Sequence, residues 1–250
     1  KLQAIPWEEY QELTARATRK FNEENNVATG QGGGGGGFRP VVDGTIIPQH
    51  PEASTISSNV PFMICSTFNE SSPTAYDSKL DAISLDGVKE RLKDRYGANA
   101  GKVVDAYAAA FPAMKPSDIW SMALSTRTNA IAMANNKAKQ SQPVYLAWFG
   151  WQPPLFDGRS RAHHCVDIGF WFYNTDLMLS HTGGGARPRK LSAKMTDTLV
   201  QFMKTGNPNG GGLPNWPKYT PEKGETMVLN DVAEVKNDPD REARKALPTV

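Results

Sequence analysis

Two unbroken apolar runs of strand length constrain this chain most: Val60-Pro61-Phe62-Met63-Ile64-Cys65-Ser66-Thr67 and Pro143-Val144-Tyr145-Leu146-Ala147-Trp148-Phe149-Gly150. A strand with one wet face alternates apolar and polar residues. A run that does not alternate belongs in a sheet buried on both faces. Thr226-Met227-Val228-Leu229-Asn230 reads as a short final strand. Helical patterns surround these runs. Trp7 to Phe21 follows Pro6, which suits a first helical turn, and carries Glu8 and Glu9 where the helix dipole favours acids. Ser84 caps a helix with apolar residues at Leu85, Val88, Leu92 and Tyr96, closed by Gly97. A second helix carries Val103, Val104, Tyr107 and Phe111 and stops before Pro112. Ser117 to Gln140 reads as one longer helical segment, and Leu191, Met195, Leu199 and Phe202 mark a late amphipathic helix that Gly206 and Pro208 end. Apolar strands separated by helices imply an α/β fold, with a mostly parallel sheet covered on both faces.

Charge excludes some functions. With 28 basic and 26 acidic residues the formal net charge is +2, too little for a phosphate-binding face, so no nucleic-acid partner is expected. Lys89, Arg91, Lys93 and Arg95 alternate with acids along a helix, and Arg187, Arg189 and Lys190 are expected in a solvated loop. No apolar run reaches the ~18 residues of a membrane span. The first residues, Lys1-Leu2-Gln3-Ala4-Ile5-Pro6, hold no initiator Met and no apolar signal core, and read as a chain that begins inside something longer.

Two cysteines, Cys65 and Cys165, are not a disulfide framework. They are either buried thiols or one bridge, and the redox compartment stays open. The six glycines Gly32 to Gly37 are followed by Phe38-Arg39-Pro40 and not by the Lys-Ser/Thr and helix that a phosphate-cradling loop needs. Residues 28–37 therefore read as a flexible Gly-rich surface loop.

Of the four histidines, His163 and His164 are adjacent, in Arg161-Ala162-His163-His164-Cys165-Val166-Asp167-Ile168. Three readings compete: hydrogen-bonded loop histidines, a metal site with Cys165 and Asp167, or the base of a nucleophilic triad. Adjacent histidines point apart in most backbone conformations, and no second Cys/His cluster supports a metal. A triad base needs an orienting carboxylate. Glu70 offers one, directly after the first strand, where parallel sheets collect functional groups at their carboxyl ends. In α/β-hydrolases the nucleophile precedes the acid and the acid precedes the base, and Glu70 before His164 obeys the second half of that order. The nucleophile is missing: no Gly-x-Ser-x-Gly occurs, and Gly158-Arg159-Ser160-Arg161-Ala162 has only its first half.

These residues resemble the C-terminal half of the type-B carboxylesterases, the group that includes the cholinesterases, from about Phe38 to Leu247. Val41-Val42-Asp43-Gly44-Thr45-Ile46-Ile47-Pro48 is similar to the family's product-side loop, and Val60 to Glu70 to its acid-bearing strand. His164-Cys165-Val166-Asp167-Ile168-Gly169-Phe170-Trp171-Phe172 is similar to its His-x-x-Glu/Asp-Ile-x-Phe-x-Phe segment. Phe202 to Asn209 and Leu213 to Tyr219 are similar to its closing helix and loop. Ser71 departs from the Gly that usually follows the acid. The resemblance implies that residues 1–250 are the C-terminal portion of a single α/β-hydrolase domain. It makes His164 the base and Glu70 its acid, and Asp167 a buried organising carboxylate. It implies an ester substrate and no cofactor or metal. The serine and oxyanion hole would come from an N-terminal half, without which the exposed sheet edge should make the chain aggregate. Trp148, Phe149, Trp151, His163, Phe170 and Trp171 become candidates for an apolar substrate pocket, with core packing as the alternative. The resemblance favours a secreted or periplasmic setting. It also leaves open a catalytically inactive adhesion module, since fold alone does not fix function.

Overall fold

The computed structural model describes residues 2–24, 42–49, 58–75, 77–125 and 127–248. The Gly-rich segment 28–37 lies outside them. The chain divides into two compact units, Lys1–His50 and Pro51–Val250. The first holds helix α1 (Trp7–Glu24), with Glu8 and Glu9 in its first turn. It also holds a turn in which the Asp43 carboxylate accepts the backbone N–H groups of Thr45, Ile46 and Ile47.

The second unit is built on a four-stranded sheet in the order β1 (Phe62–Thr67), β2 (Val144–Phe149), β3 (Glu225–Leu229), β4 (Glu234–Asn237). The pairs β1–β2 and β2–β3 are parallel, and β4 returns antiparallel. Every residue of β2 is buried, and its alternation sorts two faces. Tyr145, Ala147 and Phe149 pack with Met227, Leu229 and the helices α7 (Val166–Trp171) and α9 (Ala186–Thr205). Val144 and Leu146 face Ala130, Ile131 and Ala134 of α6 (Arg127–Lys137). Trp148 enters a helical cluster from α2 (Leu85–Arg91), α4 (Ala100–Ala110) and α5 (Pro116–Ala123). Helices on both faces explain why β2 shows no polar alternation. The short helices α3 (Lys93–Tyr96), α8 (Leu179–Thr182) and α10 (Arg241–Arg244) complete the unit. No helix among the described residues is long and apolar enough to cross a membrane.

Three expectations need correction. Residues 117–140 form two helices: α5 ends at Ala123, and Ser125 Oγ accepts the Arg127 N–H as α6 begins. The helix from Ser84 is interrupted at Leu92, although Ser84 does cap it and Gly97, at φ +54°, does end α3. Arg187, Arg189 and Lys190 lie not in a loop but in the opening turns of α9, because Pro188 in a first turn lacks only an N–H that no helical carbonyl could have met. Arg187 and Arg189 make ion pairs there with Asp231 and Asp176.

Candidate active site

The parallel pairing of β1 with β2 brings two loops together. Thr67 is in register with Phe149, the Phe68 N–H still donates to Phe149 O at 2.9 Å, and then the chains diverge. The loop after β1 carries Glu70; the connection after β2 carries His164. Cross-bonds hold one to the other. Asn69 N donates to Ala162 O at 3.1 Å, Ser72 Oγ to Ser160 O at 2.6 Å, and Thr74 Oγ1 to Arg159 O at 3.0 Å. Each donor closes onto a carbonyl that would otherwise be an unmet acceptor in a largely buried place.

Arg161 anchors the second loop from below. Its side chain is 5% exposed and pairs with Asp81 (2.6 Å) and with Asp118, while Nη1 donates to Gly158 O at 2.7 Å. Burial pushes the Asp81 carboxyl up, but hydrogen bonding to Lys115 and the Arg161 charge hold it below its ordinary value. Four non-glycine residues of this connection adopt left-handed backbone, Phe156 (φ +52°), Asp157 (φ +55°), Arg161 (φ +55°) and Cys165 (φ +65°). Such conformations cost of order 1 kcal/mol or more each and persist where neighbours over-determine them. Cys165 is the residue that turns the chain into α7, so His164 sits at the point where extended loop becomes helix.

The Glu70 carboxylate is divided between two donors. His164 Nδ1 meets Oε1, and the Thr67 hydroxyl donates to Oε2. Because a carboxylate only accepts, the His164 proton on this side resides on Nδ1. The His164 side chain is 71% exposed and that of Glu70 24%. Nε2 of His164 has no hydrogen-bond partner among the described residues. The arrangement is an imidazole with one nitrogen fixed by an acid and the other open, the geometry of a general base awaiting a proton donor.

His163 does something else. Its Nδ1 donates to the Arg161 carbonyl at 3.2 Å, and its ring stacks on His181 with centroids 5.3 Å apart. Burial pulls its pKa down, with the neighbouring His181 and His164 adding to the effect. Glu70 thus pairs with one of the two adjacent histidines, and the rings diverge as neighbouring side chains do. Asp167 lies on α7, accepts from Trp171 Nε1 at 3.2 Å, and is pushed up by burial. Both cysteines are free thiols. Burial raises Cys65 well above its ordinary value and raises Cys165 too, so neither tends toward the thiolate that a nucleophile requires.

The aromatic candidates divide between two cores. Phe149, Trp151, Phe170 and Trp171 are buried in the core that packs on α7 and α9. Trp148 is buried in the opposite cluster, its ring tilted 35° against that of Phe68, with the Arg127 guanidinium 4.1 Å from its ring centroid. Their places in this chain are core packing. Sequence reasoning missed Thr67, Asn69, Arg161 and Asp81. Thr67 has the appearance of an ordinary β-branched strand residue, and the partners Arg161 and Asp81 stand 80 positions apart.

Known proteins carry a similar segment. The carboxylesterase family model matches residues 7–246. The chain is 28% identical over 213 residues to the phenmedipham hydrolase of Pseudarthrobacter oxydans, covering 80% of this chain and 42% of that protein. It is 29% identical over 219 residues to the para-nitrobenzyl esterase of Bacillus subtilis, covering 84% and 43%. Among solved structures it is similar to an esterase from Clostridium hathewayi, at a TM-score of 0.72 and 23% identity over 98% of this chain and 48% of that one. It is also similar to a carboxylesterase from Geobacillus stearothermophilus, at a TM-score of 0.69 and 24% identity over 99% and 50%. These two structures bear on the fold, which is that of the α/β-hydrolases. The chain spans about half the length of the relatives it matches. The match spans residues 7–246, nearly the whole sequence, and the chain belongs to the carboxylesterase family.

Proposed function

We propose that this chain supplies the general base and its orienting acid to a serine-type carboxylic ester hydrolase. The nucleophilic serine and the oxyanion hole come from the N-terminal half of the same α/β-hydrolase domain, of which residues 1–250 form the C-terminal portion. The observation that carries the reading is the Glu70–His164 pair at the carboxyl ends of adjacent parallel strands, with His164 Nε2 open. Two further facts support it: the relatives are named as hydrolases and esterases, and this sequence holds no Gly-x-Ser-x-Gly of its own.

The chemistry follows from that geometry. A serine oxygen attacks the ester carbonyl as His164 Nε2 takes its proton. Glu70 keeps the Nδ1–H in place and stabilises the imidazolium that forms. The imidazolium returns the proton to the departing alcohol, leaving an acyl-serine. The same base then takes a proton from water, which releases the acid and restores the serine. Donors outside this chain hold the oxyanion.

A serine-reactive fluorophosphonate tests the division of labour. With the assembled enzyme, mass spectrometry should find the label on a serine outside residues 1–250. Label on Ser160 or any other serine of this chain would refute the reading.

A further inference from the structure

We infer that Thr67 is a positioning residue for the base, acting through Glu70. The inference rests on the reading of Glu70 and His164 given above. It starts from a division of atoms: Glu70 Oε1 faces His164 Nδ1, and Oε2 receives the Thr67 hydroxyl. The carboxylate torsion of a glutamate is broad and roughly two-fold, so a carboxylate held by a single bond can swing its acceptor away from the imidazole. A donor on the second oxygen removes that freedom. A carboxylate cannot donate, so the single hydroxyl proton of Thr67 is committed to Glu70.

Thr67 is itself well fixed. It is the last residue of β1, 3% exposed, in register with Phe149. Its carbonyl accepts the Trp148 indole N–H at 3.3 Å, and the next amide, of Phe68, donates to β2. The order Trp148, Thr67, Glu70, His164 thus runs from the buried sheet to the open imidazole, with the rigid end in the core. A β-branched residue at a strand end could serve packing alone, and valine would then do as well. The hydroxyl is what sets the two apart.

Thr67→Val, nearly isosteric, should lower kcat about tenfold with KM unchanged, as loss of an outer partner of a catalytic group does. Thr67→Ser should recover kcat to within about threefold of wild type, because it keeps the donor. If Thr67→Val does not fold, Thr67→Ala against Thr67→Ser decides by the same criterion. Wild-type kcat in the variant without the hydroxyl, or no recovery with serine, overturns the inference. Glu70→Gln and His164→Ala run alongside separate the two claims. If they abolish turnover while Thr67→Val does not, the triad reading stands and Thr67 is only packing. If they retain turnover, the reading itself fails.

Discussion

Glu70 and His164 are 94 positions apart in the chain and in direct contact, because the strands that precede them, β1 and β2, are parallel neighbours in register. Parallel strands end on the same side of a sheet, so loops following adjacent strands meet there without further design. What the rest of the molecule adds is rigidity. The Glu70 loop is stitched to the His164 loop by donors at Asn69, Ser72 and Thr74, and the His164 loop is pinned by Arg161.

The Arg161 anchor makes a stability prediction. Removing one partner of a buried charge cluster leaves the others uncompensated, at a cost of about 3 kcal/mol. Arg161→Met should lower the urea midpoint accordingly. Arg161→Lys should recover only part of the loss, because lysine keeps the charge but not the planar fork that serves Asp81, Asp118 and Gly158 O together. Full recovery with lysine would show that charge alone matters here.

Asp167 predicts a pH dependence. Unfolded, its carboxyl loses a proton near 3.8; folded, burial lets it hold the proton to higher pH. Above 3.8 the folded state therefore binds more protons than the unfolded state, so this group's contribution to stability falls as pH rises. Asn cannot ionise and keeps an acceptor for the Trp171 indole. The melting temperature of Asp167→Asn relative to wild type should therefore rise between about pH 4 and about pH 7. A difference independent of pH would show that Asp167 titrates alike in both states.

Cys165 predicts a steric asymmetry. Its φ of +65° suits glycine and resists a β-branched side chain. Cys165→Gly should leave stability within about 0.5 kcal/mol, while Cys165→Val should cost about 2 kcal/mol and lower turnover, since His164 is its neighbour. Equal melting temperatures for the two variants would mean that the backbone relaxes freely.

Much of this architecture is readable from sequence where burial leaves a pattern. The runs at Val60–Thr67, Pro143–Gly150 and Thr226–Asn230 anticipate β1, β2 and β3 within two residues at each end. β4, Glu-Val-Lys-Asn, escapes because a polar, mostly exposed edge strand has no apolar pattern to show. The break between α5 and α6 was signalled by Ser125, which the continuing apolar residues obscured. Trp148 and Phe149 alternate on β2 and enter cores on opposite faces, and Trp151, Phe170 and Trp171 join the core that holds Phe149. Residue type and order pointed to Glu70 and the adjacent histidines, and the family resemblance selected His164. The bonds that immobilise them are long-range and made by ordinary Thr, Ser, Asn and Arg residues, so no local pattern announces them.

The central claim is that Glu70 and His164 act as one catalytic unit, and turnover of Glu70→Gln, His164→Ala and the double variant tests it most directly. Each single substitution should lower kcat by about 10³ to 10⁴, and the double variant should be no worse than the weaker single one. Near-normal turnover in either single variant, or losses that multiply in the double, would contradict the account.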